Sequence, residues 1–179
     1  MNVEFDCNEE DLVEFNLFHY AHSPSYQKQV FIGQIIMAVL IFGCVASTLI
    51  RYSPISSFVL GGIFGGVMYF VTPYIYKRNI VGQVRKLLKE GSNMSLLGHY
   101  EMHLSPDEIQ YKMLASETKL KWSSVDKVVQ NDRYIFIYIG AIQALIIPKS
   151  AFPSNSQQKE FLDYVNSILV KYPRILDSH

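Results

Sequence analysis

Residues 30–50 read VFIGQIIMAVLIFGCVASTLI, a run of 21 residues without a charge and with one strongly polar side chain, Gln34. A helix of this length rises about 31 Å, at about 1.5 Å per residue, which matches the roughly 30 Å hydrocarbon core of a bilayer. Twelve of its residues are Leu, Ile, Phe or Val, which favour insertion into a membrane. We therefore expect a first membrane-spanning helix at residues 30–50.

A second uncharged run follows at residues 55–76, richer in glycine and with Pro73 near its end. Only residues 51–54 join the two runs, so the two helices must form an antiparallel hairpin. Two buried helices of a soluble protein are the disfavoured alternative, because uncharged runs of 18 or more residues are typical of spans. A cleaved signal peptide is also disfavoured, since the first run begins at residue 30 and is too long.

The distribution of charge predicts the orientation of this hairpin. Arg51 is the only charge between residues 30 and 76, and it lies in the linking loop. Lys28 precedes the first span, and five basic side chains follow the second: Lys77, Arg78, Arg85, Lys86 and Lys89. Because basic residues stay on the cytoplasmic side, we expect two spans with both termini in the cytoplasm.

The overall composition excludes several classes of protein. The chain has 179 residues, with 16 basic and 16 acidic side chains. This balance disfavours a nucleic-acid-binding protein that acts through bulk charge. Two cysteines are too few for a disulfide scaffold. Neither span contains Asp, Glu, Lys or His, which disfavours a proton relay or a coupled transporter.

The second span contains two overlapping G-x-x-x-G pairs, formed by Gly61, Gly62, Gly65 and Gly66. Such pairs let two helix backbones approach closely. The partner helix is either the first span of the same hairpin, around Gly33, Ala38 or Gly43, or the same span of a second chain. The tight loop favours the first alternative, and both remain open.

Residues 77–90 have the pattern of a separate amphipathic helix beside the membrane. Their apolar positions fall on one stripe: Ile80, Val81, Val84, Leu87 and Leu88. The five basic residues that follow the second span are therefore candidate contacts with anionic lipid. The alternative is that the apolar stripe packs on the soluble part of the chain.

Residues 98–172 change to a period of two and predict about six short antiparallel strands, followed by an amphipathic helix that ends at Tyr172 before Pro173. Ser154 and Gln157 form a possible capping box for this helix. At the N-terminus, residues 1–29 predict a strand at 2–6 and a helix capped by Asn8. We expect the first strand to join the later sheet, which makes the hairpin an insertion within one domain.

The chain resembles the YcxB-like family of small bacterial membrane proteins. The resemblance is carried by Asp11-Leu12-Val13-Glu14-Phe15-Asn16-Leu17-Phe18-His19, His22-Ser23-Pro24-Ser25, Lys121-Trp122-Ser123-Ser124-Val125 and Ile146-Ile147-Pro148-Lys149-Ser150-Ala151-Phe152. It implies a bacterial inner-membrane protein with a pleckstrin-homology-like C-terminal domain, a bent antiparallel sheet capped by one helix. It implies no reaction and no catalytic residues.

Three weaker patterns concern chemistry. His99, Glu101 and His103 share one strand face and could hold a metal, although alternate strand positions are about 7 Å apart. His19 and His22 could meet on a helix. A basic patch for lipid headgroups could form from Lys119, Lys121 and Lys127. A solvated polar surface, or for the two helical histidines a capping role, is the favoured interpretation in each case, and no nucleophile or phosphate-loop motif is present.

We therefore predict an α+β membrane protein: a two-helix transmembrane hairpin and a small antiparallel meander closed by a C-terminal helix. The favoured function is a non-enzymatic interaction module at the inner membrane, with no catalytic residues, metal or cofactor and no nucleic acid. Its expected partners are the lipid bilayer and an unidentified protein or a second copy of the chain. Anionic-lipid reading is the alternative, and a metal-dependent enzyme is a more distant one.

Overall fold

The computed structural model describes residues 1–90, 93–113 and 116–171, which form an α+β protein with four α-helices and two antiparallel sheets. The helices are α1 (Glu9–Ala21), α2 (Pro24–Leu49), α3 (Pro54–Leu88) and α4 (Asn155–Leu169). The strands are β1 (Asn2–Cys7), β2 (Gly98–Leu104), β3 (Glu108–Met113), β4 (Ser116–Lys121), β5 (Lys127–Gln130), β6 (Tyr134–Tyr138) and β7 (Ala144–Pro148). The chain divides into two compact units, Met1–Phe15 with Leu87–His179, and Asn16–Lys86.

The first sheet has the order β1-β2-β3-β4, so the N-terminal strand lies beside a strand that follows it by some ninety residues. In the register of β1 and β2, Val3 is opposite Met102 and Phe5 is opposite Tyr100. The rings of Phe5 and Tyr100 stack with centroids 5.2 Å apart. Alternate residues of β1 are buried and exposed, because one face of the sheet covers the core.

The second sheet has the order β5-β6-β7 and provides the centre of the core. Every residue of β6 is buried, which agrees with the wholly apolar sequence of this segment. The chain passes between the sheets through a 3₁₀ turn at Trp122–Ser124. Apolar spacing alone would extend β4 to Trp122 and begin the next strand at Val125, but the turn takes up Trp122 and β5 begins only at Lys127.

Helix α4 closes the core of the same unit. Ser154 is its N-cap, and the side chain of Ser154 accepts a hydrogen bond from the backbone N–H of Gln157. Phe161, Val165 and Ile168 are buried along one face. The helix ends at Leu169, three residues before the predicted end at Tyr172, which lies outside the described residues.

Helix α1 begins where Asn8 caps it. The Asn8 side-chain oxygen accepts hydrogen bonds from the backbone N–H groups of Glu10 and Asp11, at 2.8 and 3.1 Å. The buried residues of α1 are Asp11, Val13 and Phe15. Helical spacing alone predicts an apolar face of Leu12, Phe15, Phe18 and His19. The structure instead buries Asp11, because its carboxyl group accepts a hydrogen bond from Tyr134, which is distant in sequence.

In the other unit, α2 and α3 are long and apolar enough to cross a membrane by length and composition. In their most apolar windows only 6% and 22% of the residues are buried, so the apolar side chains face outward rather than into a protein core. Helix α2 begins at Pro24, six residues before the predicted span, because Ser23 caps it and Pro24 suits its first turn.

Helix α3 corrects the prediction of a separate amphipathic helix at residues 77–90. It runs without a break from Pro54 to Leu88, with Pro73 inside it. Proline cannot donate a hydrogen bond to the carbonyl four residues earlier, which here is that of Tyr69. The side-chain amide of Gln34 donates to this carbonyl oxygen at 3.1 Å, so α2 supplies the hydrogen bond that Pro73 cannot make.

Candidate functional site

One of the two glycine pairs forms the contact between α2 and α3. A Cβ atom at Gly65 would lie 2.9 Å from the carbonyl oxygen of Ala38. A Cβ atom at Gly61 would lie 3.0 Å from the Phe42 ring and 3.1 Å from its carbonyl oxygen. All three distances are shorter than ordinary contacts, so a larger residue at either position would require α2 or the Phe42 side chain to shift. Gly61 and Gly65 therefore pack within the hairpin.

The other pair, Gly62 and Gly66, faces away from this contact. Apart from the adjoining residues and backbone of α3 itself, no described atom lies within 4 Å of a Cβ placed at either position. The same holds for Gly43 on α2, whereas a Cβ at Gly33 would lie 2.6 Å from the Tyr76 hydroxyl. The four glycines thus divide into an inner pair and an outer pair.

Four of the five candidate lipid-surface residues lie on the last turns of α3, and Lys89 follows its end at Leu88. Lys77, Arg78, Arg85, Lys86 and Lys89 are all exposed. Their helix buries Ile80, Val84 and Leu88, which follow one another at intervals of four residues. Leu87, another position of the predicted stripe, is 56% exposed, so the stripe is only partly buried and both alternatives remain open.

Lys77 differs from the other four basic residues in its position. It precedes Ile80 by three residues, so the two are neighbours on one face of α3, although Lys77 itself is exposed. It lines an open cavity of about 350 Å³ within the unit Asn16–Lys86. We call this the tyrosine cavity, because its lining includes Tyr20, Tyr26 and Tyr76.

The tyrosine cavity brings together residues of α1, α2 and α3. The ring of Tyr26 lies 4.8 Å from that of Tyr20 and 6.2 Å from that of Tyr76, measured between centroids. The Tyr26 hydroxyl is buried and has no hydrogen-bond partner among the described residues. Apolar side chains, including Val30 and Ile80, form most of the remaining wall.

The outer face of the first sheet is a second candidate surface. A groove of about 270 Å³ runs over it. Its polar lining comes from all four strands: Asn2, Glu4, Glu101, His103, Gln110, Lys112 and Glu117. Glu4 lies directly opposite Glu101 in the register of β1 and β2. Like charges in opposite positions destabilise a sheet, so this row is not explained by the stability of the fold.

The three side chains considered as a possible metal row, His99, Glu101 and His103, do not converge on one point. His99 contacts the carboxylate of Asp6 at 3.0 Å, and the ring of His103 contacts the side-chain oxygen of Asn2. Glu101 lies 4.0 Å from the ammonium group of Lys112. Within the described residues, no group of three His, Cys, Asp or Glu side chains could hold a metal ion. Each side chain instead faces a neighbour on the next strand.

His19 and His22 likewise have separate surroundings. The Nδ1 atom of His22 lies 2.8 Å from the carbonyl oxygen of Phe18, and its ring lies 4.2 Å from the Phe18 ring. His19 makes an edge contact with Tyr20. His22 thus ends α1, a capping role.

The lysines considered as a possible basic patch, Lys119, Lys121 and Lys127, are distributed over two sheets. Lys119 of β4 lies 3.7 Å from Glu108. Lys127 of β5 lies 4.8 Å above the ring of Tyr138. The exposed face of the first sheet carries three lysines and five carboxylates: Lys112, Lys119, Lys121, Glu4, Asp6, Glu101, Glu108 and Glu117. This acidic excess does not suit an anionic membrane surface.

Two ionisable groups in the core have strongly raised pKa values. Tyr134 donates a hydrogen bond to Asp11 at 2.7 Å, and burial together with this hydrogen bond raises the pKa of Tyr134 to about 12. Burial, reinforced by the charge of Asp11, raises the pKa of the Cys7 thiol to about 12. Both groups stay neutral at physiological pH, so neither is prepared to act as a nucleophile or a base.

Two of the segments that carry the family resemblance, 121–125 and 146–152, lie at turns of the unit Met1–Phe15 with Leu87–His179. Trp122 is 1% exposed, and its ring N–H donates to the carbonyl oxygen of Ser105 at 2.8 Å. The turn Lys149–Ala151 leads from β7 towards α4, and Phe152 packs on Phe161 with centroids 5.1 Å apart. Residues 104–165 match the model of the YcxB-like protein family.

This YcxB-like match confirms the resemblance over the end of β2, over β3 to β7 and over most of α4. It does not extend to the hairpin or to the N-terminal block. No curated protein and no solved structure was found to match the chain. In these two segments Trp122, Val125, Ile146 and Ile147 are buried. Residues Trp122–Ser124 and Lys149–Ala151 form the turns, so the segments serve packing and the change of chain direction.

The sequence did not predict the tyrosine cavity. Tyr20, Tyr26 and Tyr76 belong to three helices, and no periodic pattern relates them. The clustering of tyrosines at the ends of the two apolar runs was the one available signal, because tyrosine is enriched at membrane interfaces.

Proposed function

We propose that the chain is a membrane-anchored binding module without catalytic activity. In this proposal α2 and α3 span the plasma (inner) membrane, and both termini lie in the cytoplasm. The two-sheet unit with α4 is a pleckstrin-homology-like domain that binds a protein partner. Its four-stranded and three-stranded sheets and its closing helix support this assignment of the fold.

The observation that carries the anchoring is the exposed apolar surface of α2 and α3. Val39, Leu40 and Phe70 are 62%, 60% and 79% exposed, and many neighbouring apolar side chains are exposed as well. A continuous apolar surface of this kind requires lipid or another protein. The concentration of basic residues after the second span supports cytoplasmic termini.

The groove on the outer face of the first sheet supports the binding role. It is concave and polar, and it contains the Glu4–Glu101 row that the fold does not need. The acidic excess of this face suits a protein partner with a basic segment better than an anionic lipid surface. Binding through a rigid sheet face requires no catalytic group.

Site-specific photo-cross-linking of the full-length protein in its own membranes tests the proposal. A photoreactive amino acid at Gln110, in the groove, should capture one protein reproducibly. The same amino acid at Lys159, an exposed residue of α4, is the matched control. A second variant with Glu101→Lys should abolish the capture at Gln110.

Identical products at Gln110 and Lys159 would show that the groove is not the binding face. Release of the protein from membranes by an alkaline carbonate wash would contradict the anchoring. If only self-cross-links form at Gln110, the groove binds a second copy of the chain rather than a different protein.

Anionic-lipid reading is the second candidate, and the exposed basic residues Arg85, Lys86 and Lys89 favour it. The full-length protein would then concentrate anionic lipid around itself in mixed bilayers. Because exposed charges are screened, this enrichment should decline steeply as the salt concentration rises from about 0.05 to 0.5 M. An enrichment that does not change with salt would exclude this mode of lipid reading.

A further inference from the structure

We propose that the tyrosine cavity binds a single anionic phospholipid, with Lys77 and the Tyr26 hydroxyl holding its phosphate group. This inference rests on the membrane anchoring proposed above. It names a discrete ligand site, which differs from a general attraction of basic residues to an anionic surface.

The size and walls of the cavity suit part of an amphiphile. Its volume of about 350 Å³ is at the lower end of the range for small-molecule sites, about 300–1,000 Å³. Val30, Pro73 and Ile80 supply apolar wall. Waters need several polar partners each, and a mostly apolar wall offers few. An acyl chain or a glycerol group would fill this space better than water.

The Tyr26 hydroxyl supplies a specific reason for a ligand. It is buried without a hydrogen-bond partner among the described residues. An unsatisfied buried hydroxyl is costly, and the cost disappears when a ligand oxygen accepts its hydrogen bond. A phosphate oxygen is a strong acceptor of this kind.

The charge of the cavity selects an anion. Lys77 is among the lining residues, and none of them is acidic. Arg78, the next residue, is exposed but does not line the cavity. Charge complementarity therefore depends on Lys77 alone among the five basic residues that follow the second span.

The position of the cavity along the helices fits a phospholipid headgroup. Val30 is the first residue of the first apolar run, and Tyr76 is the last residue of the second. Lysine and tyrosine are both favoured where a membrane-spanning helix leaves the hydrocarbon. In a bilayer the phosphate groups lie at this level, so a lipid phosphate reaches the cavity without leaving its leaflet.

Native mass spectrometry of the full-length protein, released from nanodiscs of phosphatidylglycerol and phosphatidylcholine, tests the proposal. The wild-type protein should retain one phosphatidylglycerol molecule in preference to phosphatidylcholine. Lys77→Gln and Tyr26→Phe should each lower this retention about tenfold, the effect of losing one charge-assisted hydrogen bond. Arg78→Gln removes the same charge one residue further along and should leave retention unchanged.

Tyr26→Phe also separates binding from folding. Because the hydroxyl is unsatisfied without lipid, its removal should not lower the thermal stability of the delipidated protein, whereas it should lower lipid retention. Equal retention by Lys77→Gln and Arg78→Gln, or no preference for phosphatidylglycerol, would overturn the inference. A protein that stays in carbonate-washed membranes but retains no lipid contradicts this inference alone, whereas a protein released by the wash contradicts the anchoring as well.

Discussion

At the scale of single residues, Asp11 shows how a charged side chain becomes part of the core. Asp11 is 5% exposed. One of its carboxylate oxygens accepts a hydrogen bond from the Asn8 backbone N–H and the other accepts one from the Tyr134 hydroxyl, both at 2.7 Å. Buried carboxylates are tolerated only with such partners. Asp11 thereby joins the start of α1 to β6.

Tyr134→Phe should therefore destabilise the protein by about 1–3 kcal/mol at pH 7, because a buried carboxylate loses a donor. The only tryptophan, Trp122, lies in the core of the same unit, so its fluorescence can follow the unfolding in urea. Tyr52→Phe, at a residue that is 88% exposed, is the control and should have no effect. Equal stability of the Tyr134 variant and the wild type would contradict the role assigned to this hydrogen bond.

The same residue gives a prediction about alkaline pH. The pKa of Tyr134 is about 12 in the folded protein, against an ordinary value of 10. Below pH 10 its contribution to stability is complete, because the tyrosine is neutral in both states. As the pH rises from 10 to 12 the unfolded chain ionises first, so the contribution is lost. The stability of Tyr134→Phe should decline less steeply over this interval in urea titrations, and parallel curves would contradict the assignment.

At the scale of elements, a single hydrogen bond explains why α3 continues through Pro73. Pro73 leaves the Tyr69 carbonyl without its usual donor, and Gln34 of α2 supplies one. Gln34, the one strongly polar residue of the first apolar run, thus completes the hydrogen bonding of the opposite helix, α3. In lipid, where water cannot replace a missing donor, this contact matters more than it would in solution.

A double-mutant cycle tests this explanation. Gln34→Leu alone should weaken the packing of α2 on α3 by about 1 kcal/mol, the usual size of such bonds in membranes. Pro73→Ala restores the backbone donor to Tyr69, so Gln34→Leu should cost much less in that background. Both costs can be measured by titrating the purified protein with sodium dodecyl sulfate and monitoring the loss of contact between α2 and α3. Equal costs in the two backgrounds would show that Gln34 and Pro73 act independently.

The two glycine pairs give a second prediction at this scale. Gly65→Val should loosen the hairpin, because its Cβ would meet the Ala38 carbonyl oxygen at 2.9 Å, while Gly66→Val meets no atom within 4 Å. The expected loss at Gly65 is about 1–3 kcal/mol, the usual cost of overpacking, measured by the same titration. Matching titration curves for the two variants would contradict the inner and outer assignment. If Gly66→Val instead dissociates a dimer, the outer pair is a contact between chains.

At the scale of the whole molecule, the first unit is assembled from both sides of the hairpin. β1 lies before the two apolar helices and β2 after them, yet the two strands pair along their whole length. Val3 and Phe5 belong to the same hydrophobic core as Trp122 and Phe161. The two apolar helices are therefore an insertion within a domain.

Phe5→Ala should consequently destabilise a sheet whose other strands lie more than ninety residues away. The expected loss is about 3–5 kcal/mol, as for other buried aromatic residues. Glu4→Ala, on the exposed face of the same strand, should stay within about 0.5 kcal/mol of the wild type. Trp122 fluorescence during unfolding in urea measures both. An unchanged midpoint for Phe5→Ala would contradict the contribution of β1 to the core.

The periodicity of the sequence determined most of the elements by itself. The uncharged runs at residues 30–50 and 55–76 predicted two apolar helices, and Ser154 predicted the start of α4. The wholly apolar sequence of residues 134–138 is typical of a buried strand, and this segment forms β6. These features are local, because hydrophobic period, capping and proline act within a few residues. The residue pattern around Trp122 also indicated a resemblance to the YcxB-like family, and residues 104–165 match the model of that family.

The tertiary structure alone decided what is non-local. The glycine spacing indicated close packing but not which pair packs inside the hairpin, since that depends on the rotation of α3 against Ala38 and Phe42. The partners of Asp11, Gln34 and Tyr26 are distant in sequence, so no pattern could assign them. Periodicity shows which face of an element is apolar. Only packing shows which surface covers that face and which polar groups remain without a partner.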